Sequence, residues 1–320
     1  MATSKPAKSP ATTQRASFKG NGGTLFGIMI VNFLLAVVTL GIYSFWGKAK
    51  TRRYLYNQTE FAGDRFAYHG TGKELFLGAL KALLVFVAAS VVFVTVSTLI
   101  GPVIAAVLLY VGIGLLIPVA LWGAMRYAMS RTSWRGIRFS FRGRLGECMT
   151  SYIGGLLLTV ITLGIYSPYF AAKMRRYWSN NTYFGNTPFR YDGEGSDLIW
   201  HFLLAILLTI PTLYLYWIWY AARTARYNWS HTAFSSAKFS SNVTGGAILW
   251  LAFSNLLLLI VTLGIAFPWI VIRNIRFQLE RTALEGQIDW KAVMADAKAP
   301  KVGAVGESLA EGLDVGVAIS

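Results

Sequence analysis

Five arginines at one recurring position each stand directly before an aromatic ring: Arg53-Tyr54, Arg126-Tyr127, Arg176-Tyr177, Arg226-Tyr227 and Arg276-Phe277. Four of the rings have a second cation four residues upstream, at Lys50, Lys173, Arg223 and Arg273. On a helix, residues three apart share a face, as Lys173 with Arg176 and Arg273 with Arg276 would. Paired cations of this kind grip phosphate, because guanidinium donors match its oxygens. The phosphate can belong to a lipid headgroup or an anionic solute. The same side chains also reach a membrane surface simply by extending their stems along it. Arg53, Arg126, Lys173, Arg176, Arg223, Arg226, Arg273 and Arg276 are thus candidate anion or headgroup contacts.

Three carboxylates, Glu74, Glu147 and Asp197, each lie 20 residues after one of these rings, where the next helix is expected to start. A carboxylate there complements the helix dipole and caps free amides. The alternative is an acidic vestibule for cations or a proton relay. Asn32 and Asn255 sit inside oily segments, seven residues before a recurring threonine, and Gly155 takes that place in a third segment. An amide in lipid must find a partner, so it either ties two helices together or lines a polar path.

Enzymatic chemistry finds little support. His69, His201 and His231 have no metal-ligand spacing, and the single cysteine, Cys148, excludes an internal disulfide and a cysteine-based metal site. Cys148 reads as a small buried residue. The stretch YDGEGSD, Tyr191 to Asp197, has part of a calcium-loop spacing but not its full ligand set, and reads as a turn into a helix. With no nucleophile elbow, phosphate loop or HExxH, the sequence predicts no catalytic residue, no metal and no cofactor.

These residues are carried by a repeat. The paired rings are 73, 50, 50 and 50 residues apart. Thr59, Thr132, Thr182, Thr232 and Thr282 follow five residues after them, and Phe61, Trp134, Phe184, Phe234 and Leu284 two residues later. Upstream, VTLGIYSFW (38–46), ITLGIYSPY (161–169) and VTLGIAFPW (261–269) are copies of one phrase, with TLYLYWIW from Thr212 a degenerate fourth. Glycine followed by Ser-Pro is punctuation between two helices, with serine expected as the N-cap. The first interval exceeds the others by 23 residues, which predicts an inserted helix at Leu75 to Ile100.

Of the 320 residues, 55% are hydrophobic and 14% charged, and the net charge is +16; the mean hydropathy is +0.48. Long apolar runs in so uncharged a chain predict membrane spans. Basic residues beside aromatics at their ends suit anionic headgroups rather than nucleic acid. The expected fold is an all-α polytopic membrane protein. About six transmembrane helices (24–43, 75–98, 103–125, 148–166, 198–216 and 247–266) alternate with interfacial helices and loops. Short β-hairpins are expected in some loops, notably TEFAGDRFAYHG and TYFGNTPFRYDG. Residues 21–290 form this domain. Residues 1–20, basic and without the apolar core of a signal peptide, and residues 291–320 read as disordered tails.

A re-entrant arrangement, with each TLGI phrase at an apex and every loop on one side, is the alternative. The distribution of Lys and Arg favours it, because alternation divides them almost evenly between the two sides. Length opposes it: Glu147 to Leu163 makes a leg of ~25 Å, whereas Ser167 to Ala172, before Lys173, makes one of ~9 Å. Spans with alternating loops are therefore expected.

The stretches TLGIYSFWGKAKTRRYLYNQTEFAG (39–63), FAYHGTGKELFLG (66–78) and TLGIYSPYFAAKMRRYWSNNTYFG (162–185) resemble the YjgN family of bacterial inner-membrane proteins, whose function is not known. The resemblance covers roughly residues 18 to 290. It implies a multi-pass protein of the bacterial cytoplasmic membrane and supplies no substrate or catalytic residue. Two functional readings stand: a transporter or channel for a small or anionic solute, built from repeated helix units, and a non-catalytic protein that binds anionic lipid or scaffolds partners. Membrane lipids are the expected partners; the sequence names no small-molecule substrate and no oligomeric state.

Overall fold

The computed structural model describes residues 13–290 and Val293. Two short strands, β1 (Thr13–Arg15) and β2 (Ser17–Phe18), open the described chain, and five helix pairs follow. The first, α1 (Gly22–Val38) and α2 (Ser44–Gln58), leads into the hairpin β3 (Thr59–Phe61) and β4 (Asp64–Tyr68). The second, α3 (Gly72–Leu99) and α4 (Pro102–Arg131), leads into β5 (Thr132–Trp134) and β6 (Ile137–Phe141). Next come α5 (Leu145–Ile161) and α6 (Ser167–Asn180) with β7 (Thr182–Phe184) and β8 (Thr187–Tyr191), then α7 (Ser196–Leu207) and α8 (Tyr216–Ser230) with β9 (Thr232–Phe234) and β10 (Ala237–Ser241). The last pair, α9 (Gly245–Val261) and α10 (Phe267–Glu280), ends in β11 (Thr282–Glu285).

The TLGI phrase turns the chain between paired helices. Leu40, Leu163 and Leu263 adopt φ near +50° and the glycine after each is also left-handed; in the fourth copy Leu213 and Tyr214 do the same. The Gly41 N–H donates to Ala36 O at 2.7 Å and the Gly164 N–H to Thr159 O at 2.7 Å, which pairs carbonyls that a helix end leaves open. The threonine completes the turn. Thr162 Oγ1 donates to Leu158 O at 2.7 Å and accepts the Tyr166 N–H at 3.0 Å, and Thr39, Thr212 and Thr262 do likewise. Serine is not the N-cap: α6 begins at Ser167 with Tyr166 as cap, and the Ser167 hydroxyl donates to Gly164 O at 2.6 Å. The leucines at the apices are 93%, 92%, 82% and 91% exposed, so each pair ends in a bare apolar tip.

The second recurring threonine ends each second helix. Thr59, Thr132, Thr182 and Thr232 return their hydroxyls to the carbonyl four residues back and enter a strand. The strands turn through two-residue loops such as Ala62-Gly63 and Arg135-Gly136, both residues at positive φ, the geometry that suits a twisted hairpin. All the hairpins join one antiparallel sheet in the order β1-β11-β10-β9-β8-β7-β6-β5-β4-β3-β2. Because only Ala16 separates β1 from β2, residues 13–18 pair with β11 on one side and β3 on the other, and the sheet closes into a ring.

Alternate residues of this ring face its axis. Phe61, Trp134, Phe184 and Phe234 meet Phe66, Phe139, Phe189 and Phe239 there, together with Ile288, Trp290 and Val293 from beyond β11. Trp290 lies against Trp134 at 4.9 Å and against Phe61 and Phe234 at 6.1 Å. The axis of the sheet is filled with aromatic side chains.

This architecture corrects the expectation of an all-α fold with about six spans. Only α3 and α4, of 28 and 30 residues, are long and apolar enough to cross a membrane among the described residues; α1, α5, α7 and α9 have 12 to 17. Seventeen residues make only ~25 Å of helix. The predicted spans 24–43, 148–166, 198–216 and 247–266 each include an apical turn that stops the helix early. Loops on alternate sides of a membrane cannot share a sheet, so the alternating arrangement also fails. The length comparison misled because Lys173 was read as the end of a leg. Lysine and arginine are good helix formers, and α6 runs on through them to Asn180. Nor is there an inserted helix: the 23 extra residues lengthen both α3 and α4. The hairpins expected in two loops are present in four, as the scaffold of the whole molecule. Part of the N-terminal tail, residues 13–18, is strand, whereas residues 1–12 and nearly all of 291–320 lie outside the described residues.

Two substitutions test this construction. Thr162→Val removes both bonds of one apical turn and should lower stability by about 1–3 kcal/mol, read as a fall in the melting temperature of the detergent-solubilised protein. Trp290→Ala empties the middle of the ring and should cost about 3–5 kcal/mol; a melting temperature equal to that of the parent would mean that Trp290 is not part of the core.

Candidate functional site

The paired arginine and aromatic sit where the second helix of a unit meets the first turn of two others. The ring oxygen reaches back within its own unit, 33 residues upstream. Tyr54 Oη donates to Asn21 O at 3.1 Å and accepts the Asn21 N–H at 2.9 Å; Tyr177 donates to Arg144 O at 2.9 Å and Tyr227 accepts the Glu194 N–H at 2.7 Å. The arginine reaches forward 17 residues to the next unit. Arg53 donates to Gly70 O at 3.5 Å, Arg176 to Gly193 O at 3.1 Å and Arg226 to Val243 O at 2.5 Å. Arg276 continues the pattern through ring closure, donating to Gly20 O at 2.7 Å. In the second copy Trp122 Nε1 takes the matching Gly143 O at 2.8 Å, and Arg126 stacks on Trp122 at 4.5 Å. These arginines hold neighbouring units in register.

The other candidate cations differ among themselves. Arg273 donates to Ser254 Oγ at 2.8 Å. Lys50, Lys173 and Arg223 are exposed and make no hydrogen bond or ion pair among the described residues. The eight candidates are spread round the ring unit by unit rather than gathered in one clamp.

Of the carboxylates, Glu74 accepts two bonds from Arg131 at 2.8 and 3.0 Å, one from Tyr127 at 3.1 Å, and closes a capping box with Thr71. Asp197 accepts the Tyr227 hydroxyl, whose pKa burial and this bond push up to about 12. Glu147 is exposed, and its carboxylate has no partner among the described residues. Asn32 and Asn255 are buried within their own helix pairs: Asn32 Nδ2 donates to Gly47 O at 3.2 Å and Asn255 Nδ2 to Asn274 Oδ1 at 2.8 Å. Where Gly155 stands instead, Phe170 fills the space. Neither asparagine's Oδ1 has a partner. Cys148 is fully buried, with its thiol 3.6 Å from Pro118 O. Among the described residues no three His, Cys, Asp or Glu side chains gather round a metal-sized space.

Sequence reasoning missed a second set of cations. Arg15, Arg65, Arg138 and Lys238 occupy one repeat position on the outer face of the ring, all exposed; Pro188 holds the position in the remaining copy, and Arg190 follows two residues later on the same face. Extending the repeat alignment past Phe61 and its equivalents would have found Arg65, Arg138 and Lys238, whereas Arg15 reaches the position only through the pairing of β1 with β11. Near Arg65 and Arg138, His69 Nε2 is 2.7 Å from Ser133 Oγ, and burial together with Arg138, Arg53 and Arg131 keeps its imidazole below the usual value. Between β8 and β10 this face holds a cavity of about 480 Å³, with Arg190, Lys238, Tyr183, Pro188 and a His231–Asp192 pair (2.7 Å) in its walls.

A family described as "Bacterial protein of unknown function (DUF898)" matches residues 13–216 and 200–312, a span that takes in all five units. The chain belongs to this family. Among curated proteins, "Inner membrane protein YjgN" of two Escherichia coli strains is 41% and 40% identical over 124 residues, 39% of this chain and 30% of each relative. The protein of that name from Salmonella typhimurium is 27% identical over 172 residues, 46% of this chain and 42% of the relative. The chain thus matches less than half the length of these relatives. No solved structure matches it.

The exchange of roles in the second unit can be measured. Trp122→Phe leaves Gly143 O unpaired and should destabilise by about 1 kcal/mol, and Arg226→Met by about 1–2 kcal/mol. Arg126→Met should cost less than either; the opposite order in denaturant midpoints would remove Trp122 from this role.

Proposed function

We propose that the protein is a non-catalytic protein of the bacterial inner membrane that engages anionic lipid headgroups. The observation that carries this reading is the placement of apolar and charged groups along each short helix pair. A bare leucine tip is followed within about ten residues by an exposed, unpaired cation at Lys50, Lys173 or Arg223. Six residues from the start of α2 to Lys50 make ~9 Å of helix, the depth to which amphipathic elements sink below the headgroups. The tips would lie among the acyl chains with the cations at phosphate level, each worth about 1 kcal/mol against an anionic surface.

The long pair α3 and α4 would anchor the ring. Between Lys81 and Arg126 there is no Lys, Arg, Asp or Glu, so the pair can enter a bilayer to its tip at Gly101-Pro102. By the positive-inside tendency the basic ring would then face the cytoplasm. The names of the relatives agree with this location. The transporter reading has less behind it, because aromatic side chains pack the axis of the sheet and the candidate asparagines tie helices within a pair.

Native mass spectrometry of the purified protein checks the proposal by counting retained phosphatidylglycerol. Lys50→Gln, Lys173→Gln and Arg223→Gln together should reduce that count, while retained phosphatidylethanolamine changes little. Equal phosphatidylglycerol retention by parent and triple variant would refute headgroup binding at these cations.

A further inference from the structure

Strand register arranges the outer face of the ring in five equivalent rows of three residues, each crossing three adjacent strands. The rows are Ser17–Glu60–Arg65, Ala67–Ser133–Arg138, Ser140–Tyr183–Pro188, Arg190–Ala233–Lys238 and Ser240–Ala283–Arg15. Four rows carry at most one cation, at the third place. The fourth carries one at each end, with the methyl of Ala233 between them. Strands are ~4.8 Å apart, so the Arg190 and Lys238 backbones are separated by ~10 Å, with their side chains leaving the same face. Two long cations flanking an alanine form an open cradle for a tetrahedral anion.

The surroundings fit this use. The cradle opens into the cavity of about 480 Å³, one wall of which is Tyr183 and Pro188 from the neighbouring row. Arg190 and Lys238 make no hydrogen bond or ion pair among the described residues and are exposed. Two acids stand nearby, and neither forms an ion pair with Arg190 or Lys238: Asp192 hydrogen-bonds His231 at 2.7 Å, and Glu285, the cross-strand partner of Lys238 on its far side, accepts the Ser240 hydroxyl. The Asn180 Oδ1 accepts the Tyr191 N–H at 2.7 Å, which leaves its amide donors for a ligand. Pro188 stands where the four other rows carry arginine or lysine, and Arg190 where the other rows carry serine or alanine. This pair of exchanges moves the cation from the edge of the third row into the fourth.

We infer that Arg190, Ala233 and Lys238 form a binding site for a phosphate-bearing ligand whose non-phosphate part lies against Tyr183 and Pro188. Guanidinium and ammonium donors take the phosphate oxygens, and the flat apolar wall favours an organic phosphate over the free ion. The site does not depend on Lys50, Lys173 or Arg223, which lie on helices, so it stands or falls separately from headgroup binding at the tips.

The test is calorimetric titration of phenyl phosphate and of inorganic phosphate into the full chain held in phosphatidylcholine nanodiscs. Saturable binding is expected, tighter for phenyl phosphate. Arg190→Ser, which restores the residue of three other rows, and Lys238→Gln should each weaken it by about tenfold or more, while Arg190→Lys retains most of it. Arg138→Ser, in a row with one cation, should change it by less than about twofold if local geometry rather than diffuse charge is responsible. In phosphatidylglycerol nanodiscs, loss of phenyl phosphate binding would assign the cradle to a lipid headgroup and persistence to a soluble phosphate, both consistent with the site. No saturable binding of either probe, or equal weakening by Arg138→Ser and Arg190→Ser, would overturn it.

Discussion

The fold depends on closure of the sheet. Its strands have two to five residues, too short for an open sheet to stand alone, and every open edge would leave amides and carbonyls unpaired. Residues 13–18 remove both edges at once by pairing with β11 through Thr13 to Arg15 and with β3 through Ser17 and Phe18. The side chains repeat the same closure. Trp46 and Trp219 pack on the glycine that opens the next helix pair, at Gly72 and Gly245, and Trp269 packs on Gly22; at Gly195 the backbone of Pro168 and Tyr169 comes equally close. A Cβ at any of these glycines would collide with its neighbour. The Lys19 N–H bonds Gln58 O as the His69 N–H bonds Arg131 O and the Asp192 N–H bonds His231 O. The segment before α1 therefore does for the fifth unit what each β-hairpin does for its own.

Closure also explains why the repeat tolerates change at some positions and not others. What the ring requires is a donor for each inter-unit carbonyl, and the residue that supplies it can vary. Trp122 replaces the arginine at Gly143; Tyr214 replaces the apical glycine and accepts a left-handed φ of 66°. Phe277 lacks the hydroxyl that the other four copies use. The recurring threonines vary less because one hydroxyl must donate to the first helix and accept from the second, and valine, its isostere, can do neither.

Much of this was legible in the sequence. The five units, the helix break at TLGI and the two hairpin motifs follow from Gly, Thr and aromatic spacing. What spacing could not convey was that the loops pair with one another. Each strand shows only two to five residues, and the partner of Phe189 is Phe234, in another repeat. Hydropathy misled for a related reason. It counts the apolar residues of the apical turn as helix, and so turns four short pairs into full spans. The partners of the candidate residues were partly visible: Glu74 caps α3, as its position suggests, whereas Asp197 stands in the first turn of α7 and binds the Tyr227 hydroxyl instead of capping, and nothing in the sequence tells that Arg226 ends on Val243 O, because that carbonyl belongs to the next unit.

The departures from five-fold regularity are where function is most economically sought. A ring assembled from like units needs the same residues in every unit for its architecture. A residue present once therefore answers to something other than closure. The lengthened pair α3 and α4 is one such departure, and among the described residues it alone has the length to cross a bilayer. The row Arg190–Ala233–Lys238 is another. Placing two unpaired cations on one face with a single strand between them raises their mutual repulsion, which a sheet avoids unless an anion offsets it. The remaining rows show how easily it is avoided, with serine or alanine at the first place of each. The asymmetry adds nothing to closure, and its physical rationale is a negatively charged ligand between the two side chains.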